Sequence, residues 1–118
     1  MGKALVTTSK AEVMVLPTDA MQERAKCLGA EWVDLADGYM WMVAVGPFSQ
    51  LAYIAIPLNH PLVGVDGFKL EDYGPSVNGG VTYASGNVFG WDYGHYMNAG
   101  TPAGDVVTAM SWFVARAK

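Results

Sequence analysis

The chain of 118 residues reads as one α+β domain. The predicted fold is an antiparallel sheet of about five strands built from hairpins, with a C-terminal helix packed on one face and a short N-terminal helix. Three observations predict it. Asp37-Gly38 separates two strand-like runs, the signature of a tight hairpin whose turn residues both take positive φ. A second pair of β-rich runs flanks Ser85-Gly86-Asn87. Finally, Thr101-Pro102, a helix-start pair, opens a stripe of apolar residues at helical spacing.

Taken in order, residues 12–16 are apolar enough for a strand, although so short a run also suits a buried helical turn. Residues 18–28 read as a helix: Thr18 caps it, Asp19 occupies its first turn, Met21, Ala25 and Leu28 form its apolar face, and Gly29 stops it. Residues 31–36 and 39–45 are the arms of the first hairpin. A competing reading extends the first helix through Trp32 and Leu35, but Gly29 and the Asp37-Gly38 turn favour the hairpin. Residues 46–50 form a break, and residues 51–57 resume as a third strand antiparallel to the second. Both of these runs are apolar on both faces, which predicts central strands with a helix on one side and another chain or a loop on the other. Residues 58–78 read as a long connection of the kind that often carries function. Residues 79–84 and 88–95 make the second hairpin, and the last helix runs from Pro102 to about Ala117 with Val106, Val107, Met110, Phe113 and Val114 as its inward stripe.

Apolar residues make up 52% of the chain and charged ones 15%, against about 25% charged in an average domain. Apolar surface should therefore remain for a partner, and a homo-oligomer is expected. The net charge is −4 and the seven Lys and Arg are scattered, which argues against nucleic acid as a partner. The longest apolar runs fall far short of the roughly 20 residues that span a bilayer, so no membrane partner is expected. The N-terminus lacks signal-peptide features. The only cysteine, Cys27, cannot form an internal disulfide and reads as a core residue. Together these features point to a cytoplasmic protein.

Four blocks carry a resemblance. They are Glu31-Trp32-Val33-Asp34, residues 52–62 (Ala-Tyr-Ile-Ala-Ile-Pro-Leu-Asn-His-Pro-Leu), Val77-Asn78-Gly79-Gly80-Val81-Thr82-Tyr83, and Phe89-Gly90-Trp91-Asp92-Tyr93-Gly94-His95. In order and spacing they resemble a family of small proteins of phages, prophages and other mobile elements, over roughly residues 31–95. An integron gene cassette fits as well as a phage genome. The resemblance implies an accessory or counter-defence context without naming a reaction. Asn78 stands where that family commonly has His, and Tyr96-Met97-Asn98 follows His95 where it commonly has a short Gly-Asp stretch.

His60, Asp92 and His95 are the candidate catalytic constellation, a His acting as general base with an Asp orienting it. Asp66, Glu71 or Asp72 in the long connection would have to join them in a metal site, and no metal or cofactor is predicted. The local reading is preferred: His60 before Pro61 pins a turn, while Asp92 and His95 satisfy backbone groups at a strand end. Asn78-Gly79-Gly80 could turn successive N–H groups toward an anion, though glycine at a bulge is the commoner explanation. Trp32, Trp41, Tyr83, Trp91, Tyr93 and Tyr96 could line a pocket for a planar ligand, or serve as cross-strand core pairs. The predicted ligand-binding set is Asn78, Gly79, Tyr83, Trp91 and Tyr93. The expectation is a non-catalytic module for a small molecule or a host protein, with a small hydrolase or lyase as the alternative.

Overall fold

The computed structural model describes residues 18–94 and 100–117, the side chains of Phe68, Glu71 and Asp72 excepted. Its elements are α1 (Asp19–Leu28), β1 (Val33–Asp34), β2 (Met40–Val45), β3 (Gln50–Ala55), α2 (Gly67–Tyr73), β4 (Tyr83–Ser85), β5 (Val88–Asp92) and α3 (Pro102–Ala115). The five strands form one antiparallel sheet in the order β1-β2-β3-β5-β4. The α+β fold, with its hairpin-built sheet, short N-terminal helix α1 and C-terminal helix α3, is as the sequence predicts, and α2 is a third helix that was not expected. The run at residues 12–16 lies outside the described residues.

The first hairpin turns where Asp37 and Gly38 take φ values of 57° and 85°, and Tyr39 N–H closes it on the Ala36 carbonyl at 3.0 Å. The ladder then pairs Asp34 with Met40, so Leu35 and Ala36 together face Tyr39 as a bulge. That bulge, and the diversion of the Trp32 indole N–H to the Met21 carbonyl at 2.9 Å, leave β1 two residues long instead of six. The long connection is not structureless: it carries the seven-residue α2. The second hairpin is also shorter than expected, with β4 reduced to three residues at the sheet edge.

Alternation along the strands gives the sheet two buried faces. On one, Ala52, Ile54, Phe89 and Trp91 pack with Val106, Ala109 and Phe113 of α3. Each large side chain here contributes about 1.5–3 kcal/mol on burial. On the other, Met42, Tyr53, Ala55 and Val88 pack with Met21 of α1. This second face, expected to lie against another chain or a loop, is covered by α1. The helix is seated by its cap: Thr18 Oγ accepts from Met21 N–H at 3.2 Å and donates to Asn87 Oδ1 at 2.7 Å. Asn87, 2% exposed, in turn donates from Nδ2 to the Ile56 carbonyl at 2.9 Å.

Two side-chain expectations need correction. Cys27 is exposed, its thiol 3.4 Å from Glu23 Oε2, because Met21, Ala25 and Leu28 take the inner face of α1. In α3 the buried stripe is Val106, Ala109 and Phe113, whereas Val107 and Val114 are 61% and 42% exposed. One residue beyond Val106 or Phe113 is about 100° around the helix, which turns those two valines outward. Among the described residues no helix is long and apolar enough to cross a membrane.

Candidate functional site

His60 is 5% exposed. Its Nδ1 accepts from Leu62 N–H at 3.0 Å, and its Nε2 lies 2.7 Å from the Phe113 carbonyl. An amide N–H pointing into Nδ1 leaves the ring proton on Nε2, where it donates to that carbonyl. The ring also meets Phe113 edge-on at 5.6 Å between centroids. His60 thus clips the start of the long connection to the last turn of α3, with both nitrogens engaged on backbone.

Asp92 is in a different place. It pairs with Leu51 in the β3–β5 ladder, so its side chain shares the α1 face of the sheet, while His60 sits on the α3 face with Phe113. The sheet stands between them. Asp92 Oδ1 accepts from Gly94 N–H at 3.1 Å. The third member of the predicted constellation, His95, lies outside the described residues, as does Tyr96. Among the described residues no three His, Cys, Asp or Glu side chains gather as a metal ion would need.

The predicted binding set divides across the same sheet. Asn78, Trp91 and Tyr93 meet on the α3 face around a residue that sequence reasoning passed over, Asp105. Trp91 indole N–H donates to Tyr93 Oη at 3.1 Å, and the Tyr93 hydroxyl donates to Asp105 Oδ2 at 2.5 Å. Asn78 N–H reaches the same carboxylate oxygen at 3.2 Å, and Asn78 Nδ2 donates to the Asp92 carbonyl at 3.0 Å. Burial first, then the bond to Asp105, pushes the Tyr93 phenol well above its ordinary range. Asp105 is itself buried in the first turn of α3, where the helix N-terminus favours a carboxylate.

The anion that meets the Asn78 N–H is the chain's own Asp105 carboxylate. Gly80 N–H is likewise turned inward, closing a turn on the Val77 carbonyl at 2.9 Å, and Gly79 is exposed at its tip. Tyr83 belongs to the other face, edge-on to Tyr53 at 5.5 Å with the Arg24 guanidinium 4.2 Å from its ring centre. Of the other aromatics, Trp32 packs on the α1 face and Trp41 on the α3 face. No single pocket can draw on rings from both sides of the sheet.

An open concavity does exist at one end of the sheet. It has a volume of about 370 Å³ and is lined by Gly46, Pro47, Phe48, Ser49, Leu51, Asp92 and Gly94. Gly46 N–H bonds the Ser49 carbonyl at 2.8 Å, which closes the β2–β3 turn and leaves Phe48 96% exposed at its tip. Of the predicted candidates only Asp92 lies here. Phe48 carried a signal in the sequence, an aromatic ring inside a Gly-Pro turn where nothing local buries it. Asp105 carried little, since an acidic residue in a first helical turn usually faces water. Comparison with family models, with curated proteins and with solved structures finds no match to this chain.

Proposed function

We propose that this protein is a non-catalytic binding module, an accessory protein of a mobile element, that holds a small molecule or a host protein at the concavity between the β2–β3 turn and the end of β5. The observation that carries the reading is Phe48, 96% exposed on the rim of a hollow that also contains Asp92. An exposed aromatic beside a concavity with one polar anchor is the usual composition of a binding site. The non-catalytic half of the reading is supported by His60, whose two nitrogens serve backbone groups and whose ring is separated by the sheet from the Asp92 carboxylate. Self-association fits the same reading, since Val107 and Val114 leave apolar surface on the outer side of α3.

Native mass spectrometry of the protein purified from cells tests this. A retained small molecule or partner chain, lost in Phe48→Ser, is the expected result. A bare monomer for the natural chain would count against it.

A further inference from the structure

We infer that Asn78-Gly79 is a latent deamidation site that the protein's own hydrogen-bond network holds shut. Loss of the Asn78 amide registers release of the turn at residues 75–80 from β5 and α3, and then opposes its return. Asn78 is the one asparagine of the chain that precedes a glycine. Glycine has no Cβ to shield its amide nitrogen, so in the unfolded chain this is the asparagine most open to attack by its own backbone.

The reaction needs no reagent but water. Gly79 N bonds to Asn78 Cγ, the Cγ–Nδ2 bond breaks, and ammonia leaves with the amide proton. Water then opens the cyclic imide at either carbonyl, giving aspartate or isoaspartate. In the folded protein the asparagine is restrained on two sides. Asn78 is 6% exposed, its Nδ2 donates to the Asp92 carbonyl at 3.0 Å, and its N–H reaches Asp105 Oδ2 at 3.2 Å. The Tyr93 hydroxyl holds the same carboxylate oxygen. Ring closure has to swing the amide off Asp92, so the turn must open before the reaction can proceed. Each neutral hydrogen bond that breaks lowers the open population by about two- to tenfold, and one to a carboxylate by more.

The product no longer matches its seat. Aspartate at 78 would set a carboxylate oxygen against the Asp92 carbonyl where a donor stood, and would bring a second negative charge to the residue whose N–H meets Asp105. Isoaspartate lengthens the backbone by one methylene and displaces that N–H.

The test ages the full chain in mildly alkaline buffer, folded and in guanidinium chloride, and follows amide-to-acid conversion in the peptide containing Gly79 by mass spectrometry. Conversion in the folded chain is expected to be at least about tenfold slower than in the unfolded one. Tyr93→Phe keeps the ring and removes a donor to Asp105, so it should speed conversion in the folded chain about three- to tenfold and leave the unfolded rate unchanged. The deamidated fraction from the unfolded sample, separated by its added negative charge and returned to native buffer, should show faster amide exchange at residues 75–80 and 101–106, or fail to refold. Equal rates in the folded and unfolded chain, or an unaltered folded-state rate in Tyr93→Phe, overturn the inference. A deamidated fraction that refolds with the natural protection at residues 75–80 overturns its second half.

Discussion

At the scale of single residues, polar side chains that invite a catalytic reading are held by the protein's own backbone. His60 shows it most directly, since losing the imidazole would strand Leu62 N–H, remove one of the donors to the Phe113 carbonyl, and open a hole beside the Phe113 ring. His60→Ala is therefore expected to destabilise the fold by about 2–4 kcal/mol in urea unfolding. A loss below about 0.5 kcal/mol would mean that the imidazole is not structural. Tyr93 supplies a pH signature. Its phenol is held neutral by burial and by the Asp105 carboxylate, so its folded-state pKa lies above the unfolded value of about 10. The sign follows from linkage: this contribution is fully present below pH 10 and is lost as pH rises beyond it. Burial shifts Tyr39 and Tyr53 in the same direction, so stability should fall above about pH 10, and Tyr93→Phe should make the fall shallower without abolishing it. An unchanged slope in Tyr93→Phe would show that the phenol does not titrate against the fold.

At the scale of elements, the sheet depends on one close approach. Tyr53 and Gly90 are ladder partners between β3 and β5, and a Cβ on Gly90 would collide with the Tyr53 ring and crowd the Ala52 carbonyl. Gly90→Ala should cost about 1–3 kcal/mol of stability, read by thermal or urea unfolding, and a neutral outcome would place the Tyr53 ring elsewhere. This element scale is also where the sequence was most legible. Thr18 and Gly29 bracket α1, Asp37-Gly38 makes the first turn, and Thr101-Pro102 starts α3, because caps and tight turns are decided by neighbouring residues. What depends on distant residues was hidden. The length of β1 is set by a bulge and by Trp32 reaching Met21. The rotation of α3 that buries Asp105 and exposes Val107 is set by Tyr93 and Asn78 on other elements. In the candidate site, Asp92 and Phe48 could be seen as residues but not as neighbours, since the β3–β5 register brings them together across about forty residues of chain.

At the scale of the whole molecule, the sheet is a partition. The α3 face holds His60 and the Asn78–Tyr93–Asp105 network, the α1 face holds Tyr83 under Arg24, and the concavity opens at the end of the sheet on the side where Asp92 points. The binding role proposed above belongs to that end, and the two interior faces serve stability. Hydrogen exchange read by mass spectrometry, comparing the protein as purified from cells with the same protein stripped by unfolding and refolding, tests that division most directly. Stripping is expected to lower protection in residues 46–51 and 92–94 and to leave the segments around His60, Asn78 and Phe113 unchanged. A change centred on His60 or Asn78, or no difference anywhere, would contradict it.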